Sequence, residues 1–94
     1  MSTLAQLIKK LIAADQYLIG QHAAERLQER DILEWQVIAG MAAARTVGER
    51  RLPPHATAEF EVMLPDGSLV LAVWAHLIAS KRVKLVIVYF LTGG

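Results

Sequence analysis

The spacing of apolar residues changes near Arg45, and this change limits the fold more than any other feature of the sequence. Before Arg45, apolar residues recur every three or four positions, which is the period of amphipathic helices. After it they alternate, and β-branched and aromatic residues become frequent. We therefore predict one α+β domain over residues 1–94, with two to three N-terminal helices packed on a four-stranded antiparallel β meander.

Three helices are expected before Arg45. The first lies within residues 1–15, ahead of a core at residues 17–91, and has Ser2 or Thr3 available as its N-cap. Its apolar stripe consists of Leu4, Leu7, Ile8, Leu11 and Ile12. The second spans residues 21–30 and follows the sequence QYLIGQ, which we interpret as a short extended link.

The third helix is predicted over residues 32–45, with Asp31 as its N-cap and Glu34 completing a capping box. Its buried side is expected to hold Leu33, Val37, Met41 and Ala44. Gly40 in the interior of this helix costs about 1 kcal/mol relative to alanine. We therefore expect either that a neighbouring backbone approaches Gly40 closely or that the helix bends there.

Four strands are expected in the second half of the chain. They are predicted over residues 46–52, 57–64, 68–79 and 83–91. Pro53 and Pro54 stop the first strand, because proline cannot donate to a sheet ladder. Between the second and third strands, Pro65, Asp66 and Gly67 predict a turn in which aspartate bonds nearby backbone and glycine takes a left-handed conformation.

The last two predicted strands are apolar on both faces, which a sheet covered on one side only does not require. In the third strand, Leu69, Leu71, Val73 and Leu77 lie opposite Val70, Ala72, Trp74 and Ile78. In the fourth, Leu85 and Ile87 are expected to lie opposite Val86, Val88 and Phe90. Either the helices divide between the two faces or a second subunit covers one of them, and we expect a homodimer.

Composition excludes several classes of protein. The chain has no cysteine, which removes disulfides, thiolate nucleophiles and cysteine-based zinc sites. We find no basic segment followed by a long apolar run at the N-terminus, and the apolar stretch at residues 69–79 is too short for a bilayer. We expect a cytoplasmic protein without a membrane partner.

Ten basic and nine acidic residues give a net charge of +1, which does not by itself predict nucleic-acid binding. The distribution is less even than the total. Five cations are candidate nucleic-acid contacts, namely Arg50, Arg51, Lys81, Arg82 and Lys84. The alternative is a solvated sheet edge, where lysine also prevents aggregation.

The second helix carries one imidazole and two guanidiniums four residues apart. At 100° per residue, His22, Arg26 and Arg30 form a ridge that borders the buried side of the helix. His22 lies in the first turn, where the helix dipole favours a neutral imidazole able to accept a proton. Arg26 can hold a phosphate with two parallel hydrogen bonds. These are components for metal-free cleavage of a phosphodiester.

The same ridge has a structural interpretation. A histidine in a first helical turn can bond a sheet carbonyl. Arg26 and Arg30 can pair with carboxylates of the sheet, and Glu49, Glu59 and Glu61 are the candidates. Chemistry alone leaves both interpretations open.

The sequence HAAERLQERDI, with Val37 and the later strand VIVYF, resembles a small bacterial and phage domain family of unknown function marked by H-A-x-x-R-x-x-x-R-x-I. The resemblance covers roughly residues 17–90. It maps onto His22, Ala23, Arg26, Arg30 and Ile32, and loosely onto Tyr89. That family is distantly similar to BrnT and RelE/ParE-type toxins, which implies helices on an antiparallel sheet, RNA as substrate and an antitoxin-like partner.

No metal site or cofactor is expected, because His22, His55 and His76 are spread over helix, loop and strand. Trp35 and Trp74 are interpreted as core or interface anchors. The sequence therefore leaves two functions open, and they belong to different classes of protein. One is a non-catalytic dimeric interaction domain related to toxin-like folds. The other is a metal-free ribonuclease of toxin type that uses His22 with Arg26 and Arg30, and with Tyr89 as a fourth residue.

Overall fold

Helices precede strands along the chain, except for one short strand between the first two helices. The computed structural model describes residues 3–51 and 53–91, and within these the chain forms three helices and five strands. The elements are α1 (Leu4–Ala13), β1 (Tyr17–Ile19), α2 (Gln21–Glu29), α3 (Glu34–Met41), β2 (Arg45–Arg50), β3 (Thr57–Met63), β4 (Leu69–Leu77) and β5 (Arg82–Phe90). The α+β prediction is confirmed, and the strand ends differ from prediction by one or two residues. Ser2, a predicted N-cap, and Leu52, the predicted end of the first strand, lie outside the described residues.

The sheet is mixed and has five strands rather than four. Its order is β1-β5-β4-β3-β2, and all neighbours are antiparallel except β1, which runs parallel to β5. The predicted extended link is therefore a strand, in which Tyr17 pairs with Val83 and Ile19 with Leu85. Three residues are too few to show an alternating period, and their partner lies far away in sequence.

The start of α3 differs from the prediction. α3 begins at Glu34 with Leu33 as its N-cap, and the Leu33 backbone N–H donates to Gln36 Oε1 at 2.9 Å. Asp31 instead follows the end of α2 with φ of 55°, and the Ile32 N–H donates back to the Leu27 carbonyl at 2.9 Å. The capping prediction was wrong because aspartate, which suits an N-cap, also tolerates the left-handed conformation that ends a helix.

α1 begins as the sequence predicts. Thr3 is its N-cap, and the Thr3 hydroxyl accepts the Gln6 N–H at 3.1 Å while Gln6 Oε1 accepts the Thr3 N–H at 3.0 Å. The Ala5 N–H donates to Glu49 Oε1 on β2 at 3.0 Å. A carboxylate from the sheet therefore satisfies a second orphan donor in the first turn of α1 and complements its dipole.

One face of the sheet carries the described helices and the core. Its largest fully buried side chains are Trp74, Phe60, Ile8, Leu27, Met41 and Leu85, with Val37, Val62, Val70, Val83 and Val88. The register between β4 and β5 shifts between Val73 and Trp74, because β5 contains an extra residue there. Leu85 and Val88 therefore share the helix-covered face while Ile87 lies on the other, which corrects the predicted alternation of this strand.

The opposite face, called here the open face, has no described helix over it. Its central residues are Leu69, Leu71 and Val73 of β4 with Ile87 of β5, and all four are only partly buried. Tyr89 and Met63 on the same face are exposed. Both faces of β4 are apolar, as the sequence predicts, and the described helices do not divide between them.

The turn between β3 and β4 forms as predicted. Gly67 has φ of 88°, and the Ser68 backbone N–H donates to Asp66 Oδ1 at 2.9 Å. Hydrogen bonds from the Ser68 backbone and side chain lower the pKa of the Asp66 carboxyl from its ordinary value.

Gly40 is explained by a close approach of the sheet. A Cβ built on Gly40 would lie 2.6 Å from Val62 Cγ1 and 2.8 Å from the Met63 carbonyl oxygen. Real Cβ atoms do not come so near a backbone oxygen, so α3 packs against β3 through a position without a side chain. Of the two sequence-based expectations for Gly40, close backbone approach is the one observed.

We expect Gly40→Ala to lower the free energy of unfolding by about 1–3 kcal/mol, because the added methyl group forces α3 away from β3. This sign is opposite to the gain of about 1 kcal/mol that alanine gives in an unconstrained helix. Urea denaturation followed by far-UV circular dichroism measures the change. Ala39→Gly, at an exposed position of the same helix, is the matched control, because it measures the ordinary helix preference for alanine over glycine. A stabilised Gly40→Ala protein would contradict the packing described here.

Candidate functional site

α2 begins where β1 meets β5. Gly20 is the N-cap, and its backbone N–H donates to the Leu85 carbonyl at 2.8 Å. A Cβ on Gly20 would lie 2.7 Å from that same oxygen, so no residue with a capping hydroxyl fits there. The start of α2, including His22 in its first turn, is therefore fixed by a backbone contact with the sheet.

The three ridge residues lie along α2 as predicted, but in different surroundings. His22 is exposed in the first turn. Arg26, one turn later, has a side chain that is 41% exposed and places Nη1 3.8 Å from Glu29 Oε2. Arg26 Nε is buried and has no hydrogen-bond partner among the residues that the structure describes. Arg30 is the C-cap residue of the helix.

Arg30 stacks on an aromatic ring of the sheet. Its guanidinium carbon lies 4.5 Å from the centroid of the Phe90 ring, which is a cation–π distance. The predicted pairing of Arg26 and Arg30 with sheet carboxylates is not observed. Glu49 accepts from α1, Glu61 lies 3.3 Å from Arg45, and Glu59 lies 3.9 Å from Arg50.

Tyr89 does not belong to the ridge. It pairs with Leu71 on the open face, while its neighbours Val88 and Phe90 point toward the helices. The sheet therefore separates the Tyr89 hydroxyl from His22. The extra residue in β5 causes this outcome, because it reverses which face each later side chain of the strand occupies.

The five predicted nucleic-acid contacts lie toward one end of the sheet. The strand register aligns Arg50, Thr57, Ala75 and Lys84 in one row, and Arg82 pairs with Leu77 two residues further along β4. Arg50 and Lys84 are three strand spacings apart, or about 14 Å. Arg51 and Lys81 are exposed in the adjoining loops. Two groups distant in sequence thus form one basic end, although Arg50 is paired with Glu59.

A groove between α2 and α3 was missed by sequence reasoning. It has a volume of about 850 Å³, and Leu33 and Trp35 line it with exposures of 59% and 58%. Leu33 was predicted to be buried, and the prediction failed because α3 begins two residues later than expected. Of the two tryptophans, Trp74 is in the core and Trp35 is on the surface.

The ridge can attract an anion and offers one exposed imidazole, but the described side chains provide no metal site. No group of three or more His, Cys, Asp or Glu residues in the described parts of the chain is placed to hold a metal ion. No helix within residues 3–51 and 53–91 is long and apolar enough to cross a membrane.

Comparison with known proteins finds no matching family model, no matching curated protein and no matching solved structure.

We expect Arg30→Ala to lower the free energy of unfolding by about 0.5–1 kcal/mol, because it removes an exposed cation–π contact with Phe90. Arg30→Lys should lower the free energy of unfolding by less, since the lysine ammonium is also attracted to the face of the ring. Thermal and urea denaturation of both variants measure the difference. Wild-type stability in Arg30→Ala would show that the stacked arginine does not fasten α2 to the sheet.

Proposed function

We propose that this protein is a non-catalytic interaction domain whose two copies pair through the open face. The observation that carries the proposal is the apolar centre of that face, which no described helix covers. A standard protein interface buries about 800 Å² on each partner. That amount is about one seventh of the 5899 Å² of accessible surface of the chain.

The open face can be described as a grid of nine residues centred on Val73. Its three rows, read from β3 through β4 to β5, are Glu61, Leu71 and Tyr89, then Glu59, Val73 and Ile87, then Thr57, Ala75 and Lys84. Glu61 and Lys84 therefore occupy diagonally opposite corners. The apolar residues occupy the centre and the sides toward Tyr89.

The apolar centre of this pattern and its two charged corners are self-complementary. A two-fold axis along the diagonal from Tyr89 to Thr57 brings Glu61 of one copy onto Lys84 of the other. The same rotation packs Leu71 on Ile87 and Val73 on its own counterpart. The strands of the two sheets then cross at roughly 70°, which is closer to the orthogonal than to the aligned way in which sheets pack. An isologous interface of this kind closes as a dimer.

The charges at the two corners are not equivalent in the isolated chain. Glu61 is already 3.3 Å from Arg45, whereas Lys84 has no ion pair among the described residues. Pairing of two copies gives Lys84 a carboxylate and makes a three-residue network with Glu61 and Arg45. Apolar burial supplies the affinity, and the corner charges fix the orientation.

We expect the wild-type chain to be a dimer and Val73→Glu to be a folded monomer, because the substitution places two carboxylates against each other on the axis. Analytical ultracentrifugation over a concentration series measures the mass, and circular dichroism checks the fold. Ala39→Glu adds the same charge at an exposed position of α3 and should leave the dimer intact. A monomeric wild type would refute the proposal.

Charge exchange at the corners tests the orientation of the two copies. Glu61→Lys and Lys84→Glu should each weaken the dimer, because each brings like charges together at both corners. Mixing the two variants should restore association, since every corner then joins a lysine to a glutamate. If neither substitution weakened the dimer, the diagonal axis would be contradicted. The open face would not be contradicted as the interface.

Metal-free cleavage of RNA is a second candidate, and the single ridge of His22, Arg26 and Arg30 supports it. In this alternative His22 transfers the proton, the arginines hold phosphate, and an antitoxin-like partner restrains the activity. Tyr89 has no role in it, because it lies across the sheet.

For this alternative, induced expression should slow growth and degrade cellular RNA, and His22→Ala should abolish both effects. The melting temperature of His22→Ala should stay nearly constant, because the side chain is exposed. His55→Ala is the matched control on an exposed loop histidine. A wild-type chain that neither slows growth nor degrades RNA would exclude this function.

A further inference from the structure

The groove between α2 and α3 has an apolar interior. Leu27 forms its floor and is fully buried, and Ala24 and Ile32 beside it are partly buried. Leu33 and Trp35 stand at the side of the groove, each more than half exposed. An exposed tryptophan next to an exposed leucine forms an apolar patch on the surface, and tryptophan is among the residues that contribute most to protein interfaces.

The polar residues around this groove are acidic or neutral. Gln28, Asp31 and Glu34 line it, and Glu25 and Glu29 adjoin Gln28 on the outer side of α2. The two arginines of α2 do not line the groove. Arg30 stacks on Phe90, and Arg26 lies beside Glu29. An apolar surface with a negatively charged rim results.

The backbone around the groove is well defined by hydrogen bonds. The Asp31 and Ile32 N–H groups donate back to the Gln28 and Leu27 carbonyls, at 3.1 and 2.9 Å. The Leu33 N–H donates to Gln36 Oε1 at 2.9 Å. The connection between the helices is therefore held in one conformation. A binding surface that is already ordered loses little conformational entropy when a partner binds.

We propose that this groove binds a partner protein through an amphipathic helical segment that presents apolar side chains flanked by lysine or arginine. The apolar side chains pack against Leu33 and Trp35, and the cations meet Asp31 and Glu34. Nucleic acid is a poor occupant, because the rim repels phosphate. The proposal is independent of pairing through the open face, since the groove lies in the helix layer on the other side of the sheet.

Selection of a random peptide display library on the purified wild-type protein tests the proposal. The selected peptides should be rich in lysine and arginine around helically spaced apolar residues. Titration of a synthetic selected peptide should shift the emission of Trp35 to shorter wavelength, while the buried Trp74 stays as a constant background. Binding should weaken as salt is added, because the rim charges are exposed.

Two variants and one control locate the binding. Trp35→Ala should weaken binding about tenfold or more. Asp31→Asn combined with Glu34→Lys should also weaken it and should favour the same peptide with glutamate in place of lysine, because asparagine removes the charge and still tolerates the left-handed conformation of residue 31. Val47→Ala truncates another exposed apolar side chain, on β2, and should leave binding unchanged.

Three outcomes would overturn the proposal. One is a library that yields no peptide, and another is a set of peptides that are acidic or insensitive to Trp35→Ala. The third is a second copy of this chain in the groove, seen as concentration-dependent shifts of the Trp35 resonances in NMR spectra without peptide. Because Val73→Glu does not touch the groove, this test can succeed or fail whatever the dimer test gives.

Discussion

The hydrogen bond from the Gly20 N–H to the Leu85 carbonyl joins the start of α2 directly to the sheet, and the helix layer depends on contacts of this kind. At Gly20 and again at Gly40 the chain lies so close to a strand that a side chain would collide with backbone. Lys9 adds a third link between elements, because its ammonium donates to the carbonyl of Ala44 just after α3. These contacts keep all three helices on one face, so the core has a single interior and the other face stays open.

The elements that could be predicted from the sequence are those whose signal is local. The stripe of α1, the alternation of β3 and the turn at Gly67 each lie within a few residues and were found. β1 was missed because its three residues become a strand only by pairing with β5, at the far end of the chain. The role of Asp31 was wrong for a related reason, since its short polar side chain suits both an N-cap and a left-handed helix end.

At the candidate site, one extra residue in β5 made the predicted placement of Tyr89 wrong. The ridge on α2 depends only on helix geometry, so its placement was predictable from spacing. Whether Tyr89 joins that ridge depends on the face it occupies, and the extra residue near Val86 reverses that face for the rest of β5. Apolar residues continue through the bulge on both faces, so no polar position marks the change. Contacts with distant elements, such as that of Arg30 with the Phe90 ring, could not be predicted from the sequence either.

The apolar residues on both faces of β4 also explain why the open face is the stronger basis for a function than the ridge. A ridge of His22, Arg26 and Arg30 is compatible with solvent, because charged side chains need no cover and Arg30 already rests on Phe90. Leu71, Val73 and Ile87 gain nothing from contact with solvent, so an apolar centre on this face favours burial against another surface. The open face also carries a carboxylate, Glu61, at one corner and a cation, Lys84, at the opposite corner, so its charge is unevenly distributed. A net charge of +1 hides this separation, which only the register of the strands reveals.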